Sequence, residues 1–196
     1  MKDPVTLGFA MTGSFCTFQK ALDTMRQLTA LGYRVLPILS FNAYSLDTRF
    51  GKCEDFNREI EEICQNPIIH TINGAEPIGP KKLLDALLIC PCTGNTLAKL
   101  AAGIADTPVT LAAKSHLRNQ KPVIIAVSTN DALAAAAKNI GSLQNRRHYY
   151  FVPYRQDAPE GKPNSIVADF SLAADAVAAA LEGRQLQPIL RQSPSV

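Results

Sequence analysis

Four short polar segments in this chain each follow an apolar run, and each could present hydrogen-bond donors to a ligand. The first is Met11-Thr12-Gly13-Ser14, two hydroxyls flanking a glycine just ahead of a helical pattern. A helix start carries unpaired N–H groups and partial positive charge, so phosphate binds well there. The plain alternative is that Ser14 only caps the helix. The pattern is not G-x-G-x-x-G, so the usual dinucleotide fingerprint is absent. The second segment, Ser40-Phe41-Asn42-Ala43, offers a hydroxyl and an amide, although Ser and Asn are ordinary turn residues. The third, Pro91-Cys92-Thr93-Gly94-Asn95-Thr96, carries the strongest local signal. Gly94 would let backbone approach a planar ligand closely, while Asn95 and Thr96 place an amide and a hydroxyl at a helix start. The bland reading is a capping turn with Lys99 solvated one turn later. The fourth is Ser128-Thr129-Asn130-Asp131, where Asp131 could simply cap the next helix. Four such turns along one edge of a sheet exceed what capping requires, and together they outline a cofactor crevice.

Other reactive types are sparser. The five cysteines, Cys16, Cys53, Cys64, Cys90 and Cys92, lack the spacing of metal knuckles, and Cys90-Pro91-Cys92 is one residue short of a CxxC pair. Reduced thiols in a cytoplasmic protein fit this usage. Cys92 could be a nucleophile, but its apolar flank favours an inert thiol. His116 could transfer a proton or be half of a surface pair with Ser115, and His148 beside Tyr149 and Tyr150 reads as structural.

The elements that must position these residues alternate. Strand-like runs are Val5–Met11, Tyr33–Leu39, Pro67–Thr71, Ala86–Cys90 (stopped by Pro91), Pro122–Val127 and Tyr149–Val152. Helical spacing covers Phe15–Leu31, closed by Gly32, then Glu54–Gln65, Asn95–Ile104, Thr110–Leu117, Asp131–Leu143 and Ser171–Leu181, with a short helical link at Lys82–Leu84. Arg155–Ser165 reads as a long loop. Apolar strands alternating with helices predict a three-layer α/β/α, Rossmann-like, flavodoxin-like doubly wound parallel sheet. In such sheets ligands bind outside the carboxyl ends of the strands, where strand order reverses.

With 196 residues, 46% hydrophobic and 19% charged, the chain suits one globular domain over 1–190, with a mobile tail at 191–196. No apolar run approaches the ~20 residues that span a bilayer, and Met1-Lys2-Asp3-Pro4 does not open a secretory leader. The net charge of +3 comes from scattered Lys and Arg, so neither nucleic acid nor membrane is an expected partner.

The residues Pro91–Thr96, followed by Lys99-Leu100-Ala101 and Gly103-Ile104-Ala105-Asp106, resemble the flavoprotein family of homo-oligomeric FMN-containing cysteine decarboxylases. That family shows P-x-x-x-N-T and then K-x-A-x-G-I-A-D. The Thr12-Gly13-Ser14 turn and the Ser40 turn fit it too. Within the family, the runs Ala75–Lys81, Ala113–Asn119, Ser128–Leu133, Lys162–Ser165 and Gln185–Pro188 are similar to a branch that acts in sporulation. There it works with a dehydrogenase-like A subunit to form a pyridine dicarboxylate from a dihydro precursor. The resemblance implies FMN as cofactor, NADP through the A subunit, oligomers built from trimers (up to a dodecamer), a small dicarboxylate substrate, and a place in the cytoplasm of the mother cell. It also implies that Thr12, Gly13, Ser14 and Ser40 face the FMN phosphate and ribityl chain. Pro91, Thr93, Asn95, Thr96, Ser128 and Asn130 would line the flavin. Among the cations, Lys114, Arg118 and Arg155 are the expected carboxylate contacts, with the FMN phosphate as the other expected partner of Arg118 and Arg155, against the alternative that each is a solvated surface charge; His116 is the candidate catalytic group. Two departures speak against cysteine decarboxylation. Glu76 is followed by Pro77 where the decarboxylases carry histidine, and of their P-x-M-N-x-x-M-W motif only Asn130 remains. A non-catalytic partner role, or another FMN-dependent lyase activity, stays open beside a redox-active one.

Overall fold

The computed structural model describes residues 4–192. The chain runs β1 (Thr6–Met11), α1 (Phe18–Ala30), β2 (Arg34–Leu39), α2 (Phe41–Ser45), α3 (Cys53–Cys64), α4 (Ile72–Ala75), β3 (Ala86–Cys92), α5 (Gly94–Ala102), α6 (Pro108–Leu117), β4 (Val123–Thr129), α7 (Ala137–Gln144), β5 (Tyr149–Phe151), β6 (Tyr154–Ala158), β7 (Lys162–Ala168) and α8 (Ala173–Leu181). The parallel strands stand in the order β2-β1-β3-β4-β5, with β1 between β2 and β3. Strand order therefore reverses at β1, and the turns after β1 and β3 diverge to opposite faces of the sheet. The mostly parallel sheet with helices on both faces is the expected Rossmann-like architecture. β3 is buried at all seven positions and β4 at six of seven, as a central strand covered on both faces must be. Leu7, Phe9 and Met11 of β1 and Leu22, Met25 and Leu28 of α1 are fully buried. No helix among the described residues is long and apolar enough to cross a membrane.

Several local expectations are corrected. Arg155–Ser165 is not a loop: β6 and β7 form an antiparallel hairpin, and β7 adds antiparallel to the end of β4 at Ser128–Thr129. Its strand alternation is hidden because the exposed half carries Lys162, Pro163 and Asn164, while only Ser165, Ile166 and Ala168 are buried. β3 does not stop at Pro91 but runs on to Cys92 with a register shift between Ile89 and Cys92, the irregular place where a strand tolerates proline. The helix expected at Asp131–Leu143 begins only at Ala137, and residues 130–136 form successive turns. Pro67–Thr71 contributes a single bridge, Ile38 with Ile69, and Lys82–Leu84 is turn and coil rather than helix. Of the tail expected to be mobile, residues 193–196 lie outside the described residues; Arg191 donates its backbone N–H to Tyr154 O at 2.9 Å.

Candidate functional site

The carboxyl ends of β1, β2, β3 and β4 open into two adjoining chambers that share Gly13 and Thr93. The smaller, about 340 Å³, is lined by Thr12, Gly13, Ser40, Asn95, Thr96 and Lys99 among others. No carboxylate lines it. The larger, about 520 Å³, is bounded by Ser14 and Phe15 before α1, by Ser128 near the end of β4 and Asn130 just after it, and by Ser165 and Val167 of the hairpin.

A chain of hydroxyls builds the wall between β1 and β3. Thr12 is buried at 1% exposure. Its Oγ1 donates to Pro91 O at 2.8 Å and accepts from the Thr93 N–H at 3.0 Å. Thr93 Oγ1 lies 3.1 Å from Thr96 Oγ1 and accepts the Thr96 N–H at 3.4 Å, capping α5. The first turn of α5 therefore meets the smaller chamber with its positive dipole end. Ser40 Oγ accepts from the Ala43 N–H at 3.3 Å, capping α2. Ser14 makes no side-chain cap; its Oγ instead bonds Ser128 Oγ at 2.8 Å, tying the β1 turn to the β4 turn across the sheet.

The glycine in the third turn lets two turns meet. A Cβ on Gly94 would lie 2.7 Å from Asp131 Oδ1 and 2.8 Å from Thr129 Oγ1. The close approach is therefore between the β3 and β4 turns, and Asp131 is held by a 2.6 Å bond from Thr129 Oγ1 rather than capping a helix. Lys99 is not free in solvent: it makes a bidentate pair with Asp106 at 2.7 and 2.9 Å. Cys92 is fully buried, and burial pushes its thiol far up, so it is inert.

Thr12, Gly13, Ser14, Ser40, Thr93, Asn95, Thr96, Ser128 and Asn130 all reach these chambers. Pro91 does not; it is buried, and its carbonyl anchors Thr12. The expected substrate and catalytic residues are not brought there either. His116 is fully buried, its Nε2–H donating to Pro122 O at 3.1 Å at the amino end of β4. Desolvation lowers its pKa to about 4, so it stays neutral and cannot meet a substrate. Arg155 faces Asp169 at 3.6 Å in a groove beside α1. Lys114 and Arg118 lie at the carboxyl end of α6, at the opposite edge of the sheet. The cations that do line the larger chamber are Lys20, Arg49 and Lys162, the last paired with Asp157 at 3.0 Å. Lys20 and Arg49 sit in stretches without local ligand patterning, and only the folded chain brings them to this space.

Switch-point chambers walled by hydroxyls and a helix start define a binding protein for an anionic cofactor on a doubly wound sheet. The flavoprotein family model matches residues 1–182, and the chain belongs to that family. It is 41% identical over 184 residues to the B subunit of dipicolinate synthase from Bacillus subtilis, covering 94% of this chain and 92% of that one. A crystal structure of the same B subunit from Bacillus halodurans superposes with a TM-score of 0.89 at 40% identity, covering 98% of this chain and 99% of that one. An FMN-dependent cysteine decarboxylase shares the fold with a TM-score of 0.66 at 20% identity, over 92% of this chain and 98% of the other.

Proposed function

We propose that this chain is the FMN-binding B subunit of a dipicolinate synthase. With an A subunit it would form dipicolinate from a dihydrodipicolinate-type precursor during sporulation, in the mother-cell cytoplasm. The single observation that carries the reading is the crevice of hydroxyls at the switch point, in a chain 41% identical to such a subunit over 94% of its length.

The donor set fits FMN. The smaller chamber offers Ser40 and Thr96 hydroxyls, the Asn95 amide and no carboxylate, which suits a phosphate and its ribityl chain. The larger chamber, wider and half apolar through Phe15, Phe50 and Ile166, suits the flavin ring with a planar substrate beside it. When bound, FMN supplies hydride acceptance. The chain's own part is placement. Thr93 and Ser128 orient from the two sides of the cleft, Gly94 keeps the β3 and β4 turns in contact, and the hairpin forms one side of the larger chamber. Lys20 and Arg49 supply the positive charge that two carboxylates require, replacing Lys114, Arg118 and Arg155 in that role, while Lys162 is paired with Asp157 in the same chamber. His116 takes no part. Glu76-Pro77 and the reduced Ser128–Leu133 stretch leave no decarboxylase histidine or Met-Trp motif, which speaks against a cysteine-decarboxylating lyase. NADP would meet the A subunit, and the B subunit would assemble from trimers, up to a dodecamer.

The test is the visible spectrum of the purified chain, followed by addition of A subunit and dihydrodipicolinate. A bound-flavin spectrum that bleaches with substrate supports the redox-active reading. A colourless chain that refuses added FMN yet still stimulates the A subunit makes it a structural partner, and the cofactor proposal fails.

A further inference from the structure

At the amino edge of the sheet, across the molecule from the crevice, a separate cavity of about 440 Å³ opens between α5, α6 and the 146–149 segment. Lys114, Arg118, Arg146 and Arg147 line it, and no carboxylate does. The whole chain carries a net charge of only +3, so this concentration of cations is a local feature. Lys114 lies in the last turn of α6 and Arg118 is its C-cap, four residues on and on the same side of the helix end. Both could merely complement the negative end of that helix. That account does not reach Arg147, which comes from another segment altogether. Arg146 is pinned, donating to Leu100 O at 3.3 Å and Ala101 O at 2.6 Å, so one charge is fixed in place before any ligand arrives. Lys114, Arg118 and Arg147 make no ion pair among the described residues. The rest of the wall is mainly apolar, from Leu100, Ile104, Leu117 and the Tyr149 ring, with Thr110 and His148 between them. All four cations are exposed and hydrated, and together they set a positive potential over the apolar floor that attracts an anion. The floor selects an anion with a flat apolar body over inorganic phosphate, because a guanidinium both pairs with carboxylate and stacks on a ring.

We propose that this cavity is a second, non-catalytic site for a small aromatic dicarboxylate. Its natural occupant would be the product of the reaction, bound away from the crevice as a feedback ligand. The identity of that occupant rests on the function proposed above; the anion chemistry of the cavity does not.

The test is calorimetric titration of the flavin-loaded oligomer with pyridine-2,6-dicarboxylate and, separately, with isophthalate, which keeps the geometry without the ring nitrogen. The unmodified protein should bind both, more weakly as salt rises. The double variant Arg118→Ala/Arg147→Ala should lose at least about tenfold in affinity for this event. Its flavin absorbance and sedimentation should not change. Unaltered affinity in the variant, or no binding of either compound to the unmodified protein, overturns the site. Dissociation of the oligomer in the variant also overturns it, since the cavity would then be a contact between copies. Should synthase activity with the A subunit fail while isophthalate binding is present and lost in the variant, the cavity stands and the functional reading falls.

Discussion

Thr12→Val is the sharpest test of how the crevice is held together. The substitution nearly conserves shape but deletes an oxygen that donates to Pro91 O and accepts the Thr93 N–H. Pro91 O keeps a partner, because the Thr12 N–H also reaches it at 3.2 Å. Thr93 N–H does not keep one, so the main loss is one part-buried donor without an acceptor, about 1–3 kcal/mol. For a chain of this size each kcal/mol moves Tm by about 2–4 °C. The fall in Tm is therefore expected to be about 2–12 °C by differential scanning calorimetry. The same deletion frees Thr93, whose Oγ1 caps α5 and meets Thr96, so retention of FMN on gel filtration should weaken as well. Thr12→Ser keeps the hydroxyl and serves as the control, with most of the stability and the flavin preserved. A Tm for Thr12→Val within about 1 °C of the parent, with flavin retained, would refute the idea that this hydroxyl chain organises the site.

Three further outcomes follow from the same geometry. Asn95 is exposed on the wall of the smaller chamber, so Asn95→Leu should abolish flavin retention while leaving the urea midpoint unchanged; a variant that still co-purifies with FMN would remove Asn95 from the site. His116 is neutral in the folded state, with its pKa lowered to about 4 by burial, and ionises near 6.5 when unfolded. Its contribution, roughly 3 kcal/mol, is fully present above pH 6.5 and is lost as pH falls toward 4. The unfolding free energy should decline across that window in the parent and decline less in His116→Leu; parallel pH profiles would dismiss the assignment. Iodoacetamide at neutral pH should label exposed Cys16 first, while Cys90 and Cys92, fully buried with thiols held protonated, react only after denaturation; early modification at Cys92, mapped by mass spectrometry, would contradict the packing.

How much was legible in the sequence depended on whether the signal was local. β1, β2 and β4 announce themselves because a strand buried on both faces must be apolar at nearly every position. The polar segments that follow them had to lie at one edge once the sheet was parallel, which is why Thr12, Ser40, Thr93 and Ser128 could be picked out together. The hairpin of β6 and β7 was hidden because half of β7 is solvent-exposed, and Lys162-Pro163-Asn164 reads as loop chemistry. The turns at 130–136 were hidden for the opposite reason. Ala-rich sequence favours helix locally, but Asp131 is engaged by Thr129, and the Leu133 N–H is taken by Asn164 O at 3.1 Å.

What the sequence determined by itself was therefore the architecture and the chemical type of the crevice, since both follow from periodicity and from residues next to one another in the chain. The tertiary structure alone decided which charged groups serve it. Lys20, Arg49 and Lys162 converge on the larger chamber from three unrelated segments, while Arg155 is engaged with Asp169 and Lys114 and Arg118 face another cavity. It likewise decided that His116 lies in the core. A long side chain's neighbours are set by which elements pack over which end of the sheet, and no local pattern in the chain records that.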